Sequence, residues 1–234
     1  MSFGLSIDGA NQRILIDESH PGIFFKGKYT QAYGASGVTI TGCSTMPLVF
    51  VKTLGTGYKT NIPQMVYNGS NSWTVTVTAL ADASLTAYTS DIELYVFDIL
   101  GASDNVTSGY GMNVYDENSQ AIFTTNKKLL KISGYHVTSA VQNTASEFNI
   151  ATQTIPSGTI PTTYAVSCGA MGLSWIYVSQ FTSLIGTVGV RRATSTTMKF
   201  GVSGIAAQFR PNQFTQNEIR ANHHLMFINH SDYD

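Results

Sequence analysis

Charge is scarce in this chain. Asp, Glu, Lys and Arg make up 12% of 234 residues, against about 25% in an ordinary soluble protein. Thirteen basic and 14 acidic side chains leave a formal net charge of −1. They form no basic patch, which argues against a nucleic-acid partner. A surface so poor in charge has little colloidal repulsion. It must be built from Ser, Thr, Asn, Gln and Gly, and it is easiest to explain if partner subunits cover much of it. No apolar run approaches the ~18 residues of a membrane-spanning helix. Met1-Ser2-Phe3 leads straight into a strand pattern, which argues against a signal peptide. There is no G-x-x-x-x-G-K-[ST] loop for a nucleotide and no G-x-S-x-G nucleophile elbow. Nothing points to a cofactor.

What the chain does have is a repeat, and repeats take precedence in reading a fold. Residues 110–134 (YGMNVYDENSQAIFTTNKKLLKISG) overlie residues 3–27 (FGLSIDGANQRILIDESHPGIFFKG) without a gap, 107 positions apart. Phe3 meets Tyr110, Gly4 meets Gly111, Leu5 meets Met112, Asn11 meets Asn118, Ile16 meets Phe123 and Gly27 meets Gly134. A period of one domain length implies a duplicated domain, not a solenoid. In each copy, alternate apolar residues (Phe3, Leu5, Ile7; Tyr110, Met112, Val114) predict a strand with one buried face. A polar turn and a second apolar run follow, which together spell a β-hairpin.

The remaining pattern is also that of strands. Residues 38–40, 47–54, 73–77 and 92–99 read as strands of a first domain, with Asn68-Gly69 a strong turn signal before Trp73. Residues 79–89 read as an Ala/Ser/Thr linker and 55–64 as a turn-rich loop. Cys43-Ser-Thr-Met46-Pro-Leu48-Val-Phe50 parallels Cys168-Gly-Ala-Met171-Gly-Leu173-Ser-Trp175 at a spacing of 125, and Glu93–Val96 falls over Lys199–Val202 at 106. The expected fold is therefore all-β: two tandem duplicated β-sandwich-like domains, residues 1–103 and 108–205, with a C-terminal extension over 206–234. In that extension a short helix is expected around 216–221 and a strand over 225–228. As a polar tail bearing Phe209, Phe214, Leu225, Met226, Phe227 and Ile228, the extension is expected to dock on a neighbouring subunit as an assembly arm.

The chemistry-bearing residues are few. Cys43 and Cys168, at equivalent places in separate modules, read as unbonded buried thiols, in keeping with a reducing cytoplasm. His223, His224 and His230 offer metal-ligand chemistry if symmetry gathers three arms, against a plain interface-packed or solvated tail. Glu93, Asp98, Asp116, Glu117 and Glu147 are the acids from which a glycosidase pair could be drawn. Asp116-Glu117, however, lie where a hairpin turn is expected. Trp73, Trp175 and the tyrosines of 29–33 and 58–67 could stack on sugars, although Trp175 aligns with Phe50 in a buried-strand pattern. No nucleophile–base–orienter set is visible, so the expectation is a chain without catalytic, cofactor or metal residues.

An opening aromatic-Gly-Leu/Met-x-Val/Ile, a short Asp/Asn turn and an apolar return strand resemble the N-terminal modules of minor tail proteins of tailed bacteriophages. Residues 110–123 carry the resemblance most clearly and 3–16 repeat it; over the full stretches 3–27 and 110–134 it covers about 50 residues. Where that family often has a turn glycine, this chain has Gln12 and Ser119. The resemblance implies a non-enzymatic virion tail component at the tail tip or fibre-attachment region, assembled in the bacterial host cytoplasm. Its implied partners are other tail proteins, a cyclic homo-oligomer (trimer or hexamer) and a host-surface receptor. A receptor- or glycan-binding adhesin is the alternative on the same fold.

Overall fold

The computed structural model describes the backbone of residues 4–8, 13–17, 21–52, 54, 58–60, 63–81, 87–101, 104, 110–138, 142–143, 149–154, 163–170, 173–179, 182–194, 197–209, 217–219 and 223–234. Side chains are described for 21–52, 54, 63–79, 87–101, 104, 110–137, 163–167, 194 and 224–234.

Among these residues the chain is all-β apart from one 3₁₀ turn, His230–Asp232. Up to residue 99 the strands are β1 (Gly4–Asp8), β2 (Arg13–Asp17), β3 (Ile23–Gln31), β4 (Val38–Thr41), β5 (Leu48–Lys52), β6 (Tyr58–Thr60), β7 (Gln64–Gly69), β8 (Ser72–Thr76), β9 (Ala79–Ala81) and β10 (Ile92–Ile99). Then come β11 (Asn113–Tyr115), β12 (Ala121–Thr124), β13 (Gly134–Thr138), β14 (Gln142–Asn143), β15 (Asn149–Thr154), β16 (Tyr164–Ala170), β17 (Leu173–Ser179), β18 (Thr182–Thr194), β19 (Thr197–Phe209), β20 (Asn217–Ile219) and β21 (His223–Asn229).

The organising element is a six-stranded sheet in the order β13-β21-β16-β5-β10-β3. Its strands are antiparallel throughout. The order is mirrored about the β5–β16 seam. Each half has an outer strand that follows a hairpin (β3 after β1–β2, β13 after β11–β12) and a last strand inserted beside it (β10, β21). The two hairpins lie side by side, β1 near β11 and β2 near β12. The sheet also turns back on itself. Before reaching β13 the chain pairs with β3: Leu129 bridges Phe24, Phe25 N–H donates to Lys128 O (2.8 Å) and Leu130 N–H donates to Ile23 O (2.8 Å). Ser133 N–H then donates to Phe227 O at 2.7 Å, so one stretch of chain pairs first with the outer strand β3 and then, entering β13, with β21.

Residues two apart share a face of a strand, and here both faces of the first half are covered. That is why β10, IELYVFDI, is a nearly unbroken apolar run. Leu94 and Val96 pack with Val49 and Val51 of β5 against Ile40 and Val75 of the separate sheet β4-β8-β7. Tyr95 and Phe97 face the other way, with Phe50, Ala165, Ile228 and Tyr233. Phe25 joins that cluster, its ring centroid 5.4 Å from Phe97 and 5.2 Å from Tyr233. Phe24 points away to Leu100 and the β12 hairpin. A bulge between Val96 and Phe97 lets β3 present both phenylalanines usefully.

Several expectations change. The boundary expected between residues 103 and 108 does not separate independent modules, because β5 pairs with β16 across it (Val51↔Val166, Lys52↔Ala165). Residues 206–234, where they are described, are not a docking arm. β19 runs on to Phe209, and β21 lies between β13 and β16 with Leu225, Phe227 and Ile228 wholly buried. Folding back buries those side chains without any partner, which is why it wins over docking. The helix expected at 216–221 is instead the short strand β20, paired with β14 and β17. Phe50 and Trp175 stand in different sheets, as do Glu93–Val96 and Lys199–Val202, so the correspondences at spacings 125 and 106 fail. Both stretches matched at 107 form hairpins, but in different registers: Leu5 pairs with Ile16 in the first, whereas Val114, not Met112, pairs with Phe123 in the second. Tyr110 and Met112 are exposed, and the buried residues of the second hairpin are Ile122 and Thr124 on its return strand.

Candidate functional site

Three of the charges that the six-stranded sheet carries, Lys28, Lys52 and Glu93, gather at one end of its first half. Alternation places Glu93, Tyr95 and Phe97 on one face of β10 and Leu48, Phe50 and Lys52 on the matching face of β5. Lys28 stands opposite Tyr95 on β3. The aromatic interior thus grades into a polar rim. Glu93 bridges two ammonium groups, pairing with Lys52 and lying 3.0 Å from Lys28 Nζ. Lys28 also reaches Asp234 Oδ1 at 3.0 Å. The fully buried Tyr95 donates its hydroxyl to the same carboxylate oxygen at 2.7 Å. His230 stacks on the Tyr95 ring (centroids 5.5 Å apart, 24° between planes), and its Nδ1 lies 3.1 Å from Asp234 Oδ2.

The turn over 230–234 holds these last groups in place. His230 N–H donates to Thr163 O (3.0 Å) and Tyr233 N–H to His230 O (2.9 Å). The Tyr233 hydroxyl donates to Leu129 O (3.0 Å) and accepts from Lys131 N–H (2.7 Å). The Tyr95 hydroxyl, with Lys28 and His230, holds the Asp234 carboxyl well below the usual range. Lys52 and then Lys28 do the same for Glu93. The bonds from Asp234 and Glu93 raise Lys28, while burial and then Asp234 raise Tyr95. Two lysines are thus balanced by two carboxylates, and the histidine is held by its Nδ1 and its ring stack. The arrangement clasps the C-terminal turn to β3 and β10. It presents no activated nucleophile.

A second buried group ties the linker down. Asp104 accepts from Gly101 N–H (2.7 Å), from Lys26 Nζ (2.5 Å) and from Lys127. Lys26, the residue left over at the bulge of β3, also donates to Gly42 O at 3.2 Å. Burial opposes the charge on Asp104, but the Gly101 N–H and both lysines hold its carboxyl below the usual range. A β-carbon on Gly101 would fall 1.9 Å from Ser44 Oγ, so no other residue fits there unless Ser44 moves. The polar, glycine-flanked stretch 101–109 reads in sequence as the domain boundary; of it the structure describes residues 101 and 104, which are bonded to each other and, through Asp104, to both lysines.

The candidate residues are scattered. Asp98 accepts from the Thr45 N–H (3.2 Å) and hydroxyl. Asp116 Oδ1 accepts Asn118 N–H (2.9 Å) and Gln120 N–H (2.7 Å), closing the hairpin turn, while Glu117 is exposed beside it. Glu147 and the side chains of Cys168, Trp175 and His223 lie outside the described residues. No carboxylate pair forms around a cleft among those described. His224 meets the Tyr135 hydroxyl (2.6 Å) at the start of β21, and His230 lies beyond its other end. Among the described residues no group of three metal-ligating side chains converges. Cys43 is a free buried thiol, pushed up to about 11 by burial and then by Asp98. Trp73 packs partly into the core beside Tyr67 (5.0 Å), its indole N–H buried without a partner. Among the described tyrosines of the expected sugar platform Tyr33 and Tyr67 are exposed and Tyr29 is half-buried in the core, while the side chain of Tyr58 lies outside the described residues. The clasp itself escaped sequence reading because its partners lie 206 residues apart (Lys28 and Asp234) and no local motif signals them.

No protein-family model matches the chain, and no curated protein or solved structure matches it.

Proposed function

We propose that this chain is a non-enzymatic structural protein of a bacteriophage virion tail, placed at the tail tip or fibre-attachment region and assembled with its partners in the host cytoplasm. The observation that carries the reading is the repeated aromatic-Gly hairpin, whose two copies lie side by side ahead of like-placed outer strands. The described charges support a structural role, because they are spent on clasps and turns: Glu93 and Asp234 on lysines, Asp104 on the linker corner, Asp116 on a hairpin. A buried free Cys43 suits assembly in a reducing compartment. Mass spectrometry of purified particles tests the reading. It expects the chain in the tail fraction at a copy number that is a multiple of three. Its absence from particles overturns the proposal.

The adhesin alternative draws on the exposed rings of Tyr33 and Tyr67, 62% and 56% accessible. A glycan array on the purified chain separates the two. Saturable binding lost in Tyr33→Ala or Tyr67→Ala favours the adhesin; an empty array favours the structural role.

A further inference from the structure

Among the described ion pairs, Lys26–Asp104 is the one with both side chains almost out of water, 7% and 9% exposed. The partners in Lys52–Glu93 and Lys28–Asp234 are each 30% or more exposed. Lys26 Nζ lies 2.5 Å from Asp104 Oδ2, across 78 positions of chain. The 42–45 loop lines the site. Gly42 O accepts from Lys26 Nζ, the buried Cys43 follows, Ser44 stands against Gly101, and Thr45 bonds the buried Asp98. Two full charges are costly to keep in such a place, because the desolvation of each ion opposes their attraction. An amine and a carboxyl held in contact away from water are also the two halves of an amide.

We propose that Lys26 and Asp104 condense spontaneously into an isopeptide bond, which cross-links β3 to the stretch between β10 and β11. The proposal is independent of the tail reading, and the reaction needs no group beyond those present. Oδ2 takes a proton from Nζ across their hydrogen bond, giving an amine and a neutral acid, the forms that burial favours. The freed electron pair of Nζ attacks Asp104 Cγ, which a nitrogen in contact with Oδ2 meets at about 3–3.5 Å, the near-attack range. The carbonyl pair moves onto Oδ1, where the Lys127 ammonium meets the growing negative charge. Nζ passes a second proton to Oδ2, the Cγ–Oδ2 bond breaks, and Oδ2 leaves as water while the carbonyl reforms. One positive and one negative charge disappear together. The product finds its partners in place: its N–H keeps Gly42 O as acceptor, and its carbonyl oxygen keeps Lys127 as donor. The enclosed site also excludes the water that would hydrolyse the bond. The link restricts the unfolded chain as a disulfide does, but without an oxidant, in a chain whose described thiol is free.

Mass spectrometry of the denatured full chain is the test. The wild type should be lighter than its sequence by one water. Trypsin cuts after free lysine, so it should leave the chain uncut at Lys26 and release a branched peptide that also carries Asp104. Lys26→Arg keeps the positive charge but lacks the amine, and it should show the full sequence mass. A wild type at full mass overturns the proposal, and so does a missing water that persists in Lys26→Arg. If Lys26→Arg does not fold, the wild-type digest decides: an unbranched peptide ending at Lys26 overturns the bond.

Discussion

The two halves of the six-stranded sheet share a strand order but not a chemistry. β3, β5 and β10 carry Lys26, Lys28, Lys52, Glu93 and Asp98, and most of these are spent on named partners. β13, β16 and β21 carry no Asp, Glu, Lys or Arg at all. The first half is therefore fixed by packing and by ion pairs at its rim. The second is fixed by packing, ladder bonds and the turn that the first half clasps. The difference teaches that a mirrored topology can be kept while one half gives up its electrostatics. The half without charge then depends on the half with it.

The sharpest way to break the comparison is to remove the strand that the second half cannot replace. Ending the chain at residue 222 deletes Leu225, Phe227 and Ile228, each worth about 1.5–3 kcal/mol of burial. Their sum rivals the whole stability of a typical domain. The expected outcome is loss of the cooperative thermal transition. A truncated chain that still melts cooperatively would restore the docking-arm reading. Phe227→Ala alone should cost about 3–5 kcal/mol in chemical denaturation.

The clasp comes next. Tyr95→Phe removes the hydroxyl bonded to Asp234 and should cost about 1.5 kcal/mol, the lower end for a bond to a charged group because Asp234 is partly solvated. If the second half does lean on the first, this variant should also speed hydrogen exchange in β21.

The pH dependence separates the halves further. Glu93 and Asp234 have depressed carboxyls, so their contribution is present above the ordinary value near 4 and is lost as pH falls below it. Lys28 and Tyr95 are raised, so theirs is present below about 10 and is lost as pH rises beyond it. Melting temperature should therefore fall at both extremes in the wild type. In Asp234→Asn both slopes should be visibly flatter.

The smallest effect concerns the second hairpin. Ser119 sits at φ 63°, a left-handed conformation that glycine takes without strain. Ser119→Gly should raise stability by less than about 1 kcal/mol, since glycine also frees the unfolded chain. A loss of stability would show that the Ser119 side chain has a role the hairpin needs.

Sequence reading reached as far as local pattern reaches. β10 falls on residues 92–99 as expected, because a continuous apolar run bounded by polar residues identifies a doubly covered strand. Asn68-Gly69 correctly announced a hairpin, but the turn is made two residues later by Ser70 and Asn71 (φ 50° and 56°), which accept the left-handed conformation without a glycine. The two hairpins were legible because each has apolar residues on both sides of a short polar turn. Beyond them, fixed offsets led to strands of other sheets. The seam at β5–β16 and the clasp to Asp234 depend on pairings between distant residues, which neither periodicity nor turn chemistry encodes.

That seam has a mechanical consequence. Its ladder consists of two residue pairs, whereas β10 and β3 share eight. A load carried across the sheet divides among rungs, and where rungs are few each bears more. Pulled apart through β5 and β16, the sheet loads the pairs Val51↔Val166 and Lys52↔Ala165, and the aromatic cluster around Phe50 and Ala165 backs that short ladder. Single-molecule extension across the seam should show this two-pair ladder as a rupture at lower force than the eight-pair ladder of β10 and β3.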